Sequence, residues 1–253
     1  MDLHLGDKTA LVTGGSRGLG RAICLGLAAE GVRVTINYCR HRDRASELVE
    51  AIRTAHGVEA VAVEGDVSHA ADVVRVFEES EARLGPLDIL VNNAGVWPKA
   101  YVKDMTEDSW DHTLAVNLRG PFLTCREAVR RWLASGRPGR IVNVASSAAF
   151  LGTTTGHAHY AAAKAGLVNF TVSLAREVAP HGIHVNAVAP GMMRTDMARE
   201  ALQSNEARYL QRIPLGRIGD PAEIANLVVF LASDRTSYTT GATFDASGGM
   251  LMR

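Results

Sequence analysis

The chain has 253 residues, long enough to bury a substantial hydrophobic core without disulfide or metal staples. Lysine plus arginine and aspartate plus glutamate both number 27, so the formal charge is zero, and 47% hydrophobic with 21% charged residues is a globular balance. These figures exclude a disordered chain and argue against a nucleic-acid or anionic-membrane binder, whose affinity needs a basic excess.

A short apolar run at 9–13 predicts the first strand, followed by the turn TGGSRGLG at 13–20 and a helical pattern over 19–30. Glycine is in excess, 24 residues against roughly 18 at the usual ~7% frequency, and this turn shows one use for it. Glycine lets the chain turn sharply and lets backbone approach a ligand closely. The helix start then offers free N–H groups and a positive dipole end to a phosphate. The spacing is G-x-x-x-G-x-G, from Gly14, Gly18 and Gly20, and not the commoner G-x-G-x-x-G. Residues Gly14, Ser16, Arg17, Gly18, Leu19 and Gly20 are therefore expected at the pyrophosphate of a dinucleotide.

The second strand, 32–36, ends without a carboxylate: Asn37-Tyr38-Cys39-Arg40-His41-Arg42 follows. An acidic residue there would take a ribose 2′-hydroxyl; a basic cluster suits a 2′-phosphate. Asn37 and Arg40, with Arg17 and Arg42 nearby, predict NADP(H) over NAD(H). Next come a helix at 43–56, a strand at 58–63, a helix at 71–84 and a strand at 87–91 that runs into NNAG. A long helical pattern covers 109–133. A strand at 140–144 ends in Ser146 and Ser147, a helix covers 159–179, and a strand at 183–188 ends in NAVAPG. Asp220 and Pro221 are a helix-start pair for 221–233, and a last strand lies near 242–244.

Alternating strands and helices predict an α/β chain built of βαβ units. The nearly continuous apolar strands suit a parallel sheet covered on both faces. The expected architecture is a single-domain Rossmann fold over residues 1–253, a doubly wound seven-stranded parallel sheet with helices on both faces. The strand ends near 93–95, 146 and 190–191 all bring small or polar groups to one rim, where such sheets bind ligands.

Tyr160 and Lys164, in HYAAAKAG, are four residues apart and share a helix face. A neighbouring ammonium favours the phenolate, so this spacing predicts a tyrosine with a lowered pKa, fit for proton transfer. The three cysteines, Cys24, Cys39 and Cys125, are odd in number and lack a CxxC pair, which predicts free thiols and a reducing cytoplasm. The N-terminal residues lack the plan of a signal peptide, and the apolar runs fall far short of the ~20 residues of a membrane span. His157 and His159 have no evident third ligand, so no metal is expected.

TGGSRGLG, Asp66 in GDV, NNAG at 92–95, Asn117 in AVNLRG, the Ser146 region, YAAAK at 160–164 and PG at 190–191 occur in one order across almost the whole chain. Together they resemble the short-chain dehydrogenase/reductase family. YAAAKAGL, SLAREVAPHGIHVNAVAPG and PLGRIGDPAEIANLVVFLASD are most similar to its 3-oxoacyl-[acyl-carrier-protein] reductases. The resemblance implies NADPH-dependent reduction of a carbonyl to a secondary alcohol, on a 3-oxoacyl thioester. It makes Tyr160 the general acid and gives Lys164 the tasks of lowering its pKa and binding the nicotinamide ribose. It puts Ser146 on the substrate oxygen and Asn117 on a relay water. Asp66 and Val67 would face the adenine, Asn93, Ala94 and Gly95 the ribose, and Pro190, Gly191 and Thr195 the nicotinamide. It also implies a homotetramer, formed through the helices near 109–133 and 159–179 and the C-terminal segment.

Two departures stand out. Counting three on from Asn143 gives Ser146 as the active serine, whereas counting thirteen back from Tyr160 gives Ser147; Ser146 is favoured. Where carrier-protein reductases often carry a basic residue, this chain has His181, so a carrier-protein patch would fall to Arg130, Arg131 and Arg137. Trp97, His157 and Met192–Met193 are expected near the substrate mouth. The alternatives are a reductase of a free ketone, polyketide, sugar or steroid, and a non-catalytic NADP-binding regulator.

Overall fold

The computed structural model describes residues 2–153 and 155–252. Its strands are β1 (Thr9–Val12), β2 (Arg33–Tyr38), β3 (Ala60–Glu64), β4 (Ile89–Asn92), β5 (Gly139–Val144), β6 (Ile183–Pro190) and β7 (Thr243–Ala246). They form one sheet in the order β3-β2-β1-β4-β5-β6-β7, and every pair is parallel. The order reverses between β1 and β4, so the crevice for a ligand opens at their carboxyl ends.

The helices are α1 (Gly18–Ala29), α2 (Arg42–His56), α3 (Ala70–Leu84), α4 (Glu107–Leu114), α5 (Gly120–Ser135), α6 (Ala148–Leu151), α7 (Ala158–Val178), α8 (Arg199–Leu210) and α9 (Pro221–Ala232). Alternation along each strand divides them between the two faces. Ala10, Val12, Ile36, Val91 and Val144 pack with Ile23 and Leu27 of α1, Leu48 of α2 and Val228 of α9. Leu11, Leu90, Ile141 and Val185 pack the other way, with Phe77 of α3, Leu123 and Trp132 of α5, and Leu174 of α7. The doubly wound α/β sheet expected from the sequence is the one observed.

A buried polar seam fixes α5 and α7 to the sheet. Thr124 of α5 donates to Asn92 Oδ1 at 2.6 Å, and Asn92 Nδ2 donates to Asn143 Oδ1 at 2.9 Å. Asn143 Nδ2 donates in turn to Thr171 Oγ1 of α7 at 2.9 Å. The side chains are buried and each finds a partner, the condition for such a seam to be stable.

Two elements differ from expectation. The helix read as continuous over 109–133 is interrupted: Ala115–Arg119 makes a π-helical turn between α4 and α5. The interruption hides from sequence because all the residues involved tolerate a helix. Helix α8 was not expected at all. Its sequence, REALQSNEARYL, is mostly polar, and Leu202 alone is buried within it.

Candidate active site

The cleft lies over the carboxyl ends of β1, β2, β4, β5 and β6 and is floored by the glycine turn. Gly14 takes a left-handed φ of 62°, and a Cβ there would lie 2.9 Å from Ala94 Cα. A Cβ on Gly20 would lie 2.2 Å from the Gly14 carbonyl oxygen. The turn is stitched to the end of β4: Thr13 Oγ1 accepts from the N–H groups of Asn93 and Ala94 at 3.0 Å each. Asn93 Nδ2 donates back to the carbonyls of Thr13 and Gly14 at 2.9 and 3.1 Å. The start of α1 has no side-chain cap, so its first-turn N–H groups face the cleft that Ser16, Arg17, Gly18, Leu19 and Gly20 line.

Among the described residues Arg17 and Arg40 are exposed on this cleft and form no ion pair. Arg42 corrects the sequence reading. Its Nε donates to the Tyr38 hydroxyl at 3.1 Å and its guanidinium approaches Glu64, and it does not line the cleft. Asn37 lines the cleft, but its side chain is committed to the protein. Oδ1 accepts from Gly14 N–H at 3.4 Å while Nδ2 donates to the carbonyls of Val63 and Gly65. Asp66 and Val67 border the same end. Burial pushes the Asp66 carboxyl up, but two hydrogen bonds from Ser68 outweigh it and hold the group below the usual range. These features fit a dinucleotide bearing an extra phosphate: backbone donors for a pyrophosphate, two guanidinium groups in no ion pair among the described residues, and no carboxylate at the end of β2.

At the other end, Tyr160 and Lys164 stand one turn apart on α7. Ser146 lines the cleft with Tyr160 and lowers the pKa of its phenol, while the Ser146 hydroxyl accepts from Ala148 N–H at 3.1 Å. Ser147 is buried and heads α6, its N–H donating to the Pro190 carbonyl at 2.9 Å. Burial pushes the Tyr160 phenol up, against the lowering by Ser146. That corrects the expectation of a lysine-lowered tyrosine. The Lys164 ammonium lies 5.7 Å from the phenol ring centroid and donates to the Val144 carbonyl at 2.7 Å. Burial takes Lys164 itself down to about 8.

Asn117 sits in the π-helical turn and is fully buried. Its Nδ2 donates to the carbonyls of Val96 and Thr113 at 3.0 Å each, and its Oδ1 accepts from Val96 N–H at 3.3 Å. The amide thus clamps the strand end 95–96. A Cβ on Gly95 would lie 2.8 Å from that Oδ1 and 3.9 Å from Lys164 Nζ. Pro190, Gly191 and Thr195 line the cleft beyond, with Thr195 packed against Gly18. Arg44 of α2 reaches across to Asp196 at 2.7 Å, tying this strap to the far bank.

Tyr209 and Arg212, brought by α8 and the turn after it, also line the cleft, as do Met192, Met193 and Met250. Tyr209 and Arg212 were missed with α8. The spacing of Leu202, Tyr209 and Leu210, seven and eight residues apart, is the signal that marks its inner face. The basic patch expected at Arg130, Arg131 and Arg137 is largely neutralised. Arg131 pairs with Glu81 and Glu127, and Arg137 with Asp88. Among the described residues no group of three His, Cys, Asp or Glu side chains is arranged for a metal.

A family model described as enoyl-(acyl carrier protein) reductase matches residues 14–251. The 3-oxoacyl-[acyl-carrier-protein] reductase of Staphylococcus epidermidis is 42% identical over 246 residues, 97% of this chain and 100% of that protein. The corresponding reductase of Aquifex aeolicus is 41% identical over 250 residues, 99% of this chain and 100% of its own. A short-chain type dehydrogenase/reductase from Mycobacterium marinum superposes with a TM-score of 0.94 at 34% identity, covering 100% of this chain and 98% of that one. A dehydrogenase/reductase from Sinorhizobium meliloti 1021 gives 0.90 at 39%, covering 98% and 97%.

Proposed function

This chain belongs to the short-chain dehydrogenase/reductase family, and we propose that it is an NADPH-dependent carbonyl reductase acting on 3-oxoacyl thioesters. The observation that carries the reading is the group Ser146–Tyr160–Lys164, set at the rim of the sheet beside a glycine-floored cleft. The nicotinamide supplies the hydride; the protein orients the reactants and handles the proton. Tyr160 delivers a proton to the carbonyl oxygen, and its raised pKa keeps it protonated and ready to donate. Ser146 holds that oxygen against the phenol by hydrogen bonding. Lys164 holds the ribose end and orients the tyrosine face. Asn117 acts by clamping Val96 and by shaping the π-helical turn for a relay water.

Gly14, Ser16, Arg17, Gly18, Leu19 and Gly20 cradle the pyrophosphate, and Arg17 with Arg40 takes the 2′-phosphate. Asn37 acts by shaping the turn. Asp66 and Val67 border the adenine, Asn93, Ala94 and Gly95 the ribose, and Pro190, Gly191 and Thr195 the nicotinamide. Residues 1–253 work as one domain. The reading extends to a cytoplasmic homotetramer whose substrate arrives on a carrier protein. Cys24, Cys39 and Cys125 are free thiols, as a reducing compartment favours. Among the described residues no helix is long and apolar enough to cross a membrane.

The test is NADPH consumption with acetoacetyl thioesters, simple ketones and sugars. The thioester is expected to give the highest kcat/KM, and NADPH a lower KM than NADH. A sugar or simple ketone leading, or NADH with the lower KM, overturns the respective part.

A further inference from the structure

The wall beside Tyr160 is built unlike the rest of the cleft. Trp97 lines it and meets the Tyr160 ring edge-on, with centroids 6.5 Å apart and planes at 64°. Behind Trp97 the imidazole of His157 stacks at 4.3 Å and 21°. His157 is itself held: it is 5% exposed, and its Nδ1 hydrogen-bonds the Pro98 carbonyl at 2.8 Å. The two loops that carry these rings are zipped together. Ala100 N–H donates to the Gly156 carbonyl at 2.7 Å, and Ala100 pairs with His157 as an isolated bridge. Gly156 takes a φ of 81°, and a Cβ on it would press 3.2 Å from the Ala100 carbonyl carbon.

An indole fixed in this way has few alternative rotamers, so it presents one surface to whatever binds against the phenol. Stacking of aromatic groups adds to the burial of their area and depends on a fixed geometry. A flexible apolar wall would accept any acyl tail; this wall rewards a flat one. We propose that Trp97, held in place by His157, is a specificity-determining platform. It favours substrates whose reacting carbonyl carries an aryl or otherwise conjugated substituent over those carrying a small alkyl group. The inference rests on the carbonyl-reductase reading and names the substrate class within it. His157 is a positioning residue, acting through Trp97.

The experiment compares benzoylacetyl and acetoacetyl N-acetylcysteamine thioesters with NADPH and reads the ratio of their kcat/KM values. The wild-type protein is expected to favour the benzoyl compound by about tenfold or more, in line with the stacking and area terms. Trp97→Ala should reduce the ratio at least fivefold, Trp97→Phe should retain part of it, and His157→Ala should reduce it while His157→Phe restores it. A wild-type ratio near one, or a ratio that moves less than twofold in Trp97→Ala and Trp97→Phe, overturns the platform. If the wild type turns over neither thioester, the thioester reading itself fails. The platform is then judged by the same thresholds on acetophenone against 2-butanone.

Discussion

Tyr160 and Lys164 share a helix face, yet their environments act on them separately. The phenol is half-buried at the cleft, and its desolvation outweighs the lowering by Ser146. Replacing Tyr160 with Phe removes the proton donor while leaving the ring, and kcat should fall by about 10²–10⁴, the usual contribution of a positioned acid. Carbonyl-reduction assays at saturating NADPH measure this, and full turnover by the variant would remove the mechanism. Lys164 carries a stability signature of its own. Its pKa is about 8 in the folded protein, below the value of about 10.4 for an unfolded lysine. The unfolded chain therefore binds more protons between those two values, and stability rises with pH across that window. Below about 8 both states are protonated and the burial penalty, about 3 kcal/mol, is present in full. Lys164→Met should be the more stable protein at pH 7.5 in urea unfolding, with a margin that shrinks by pH 9.5. Equal margins at both pH values would contradict the assignment. The four-residue spacing makes the pair legible in the sequence, but not its electrostatics, which depend on how deeply the rim is buried.

Among the elements, the π-helical turn at Ala115–Arg119 couples local backbone to the site. Such turns are rare and concentrate at functional positions. Here the turn carries Asn117, whose amide satisfies both the N–H and the carbonyl of Val96. Asn117→Ala removes three hydrogen bonds, two of them to the part-buried Val96 backbone, and should lower unfolding stability by about 2–4 kcal/mol at about 1 kcal/mol per bond. A thermal melt shifted by only a degree or two would show that the clamp is dispensable. The strands were legible to within a few residues, because β-branched apolar runs and glycine punctuation are short-range signals. The glycine turn and its neighbours were legible for the same reason. Three features were not. The π-helical turn leaves no compositional trace. The polar α8 hides its single buried Leu202 among residues that read as a loop. Arg42, two residues beyond Arg40 in sequence, turns instead to Tyr38 because it begins a helix that points it away. Proximity in sequence alone misreads such a cluster.

For the whole molecule, the outer faces of α4, α5 and α7 suggest association. Trp110, Phe122 and Leu133 are 40%, 41% and 45% exposed, and Phe122 meets Phe170 edge-on at 6.2 Å. The proposed homotetramer would cover these exposed apolar side chains. Light scattering should therefore report four chains per particle, and Phe122→Glu should yield smaller species. A monodisperse single chain for the wild type would reject that assembly. The strand order bears on a different property, the path by which the chain reaches this shape. β1 sits between β2 and β4, and Val12 lies in register with Val91 as well as with Ile36. The sheet's centre therefore cannot close until the ribosome has delivered the segment through β4, and no hairpin can nucleate a sheet whose strands are all parallel. Loops must close over dozens of residues before pairing rewards them, which predicts refolding far slower than that of a helical bundle of equal size. The crossovers that gather every strand end onto one rim are the same ones that make the protein late to assemble.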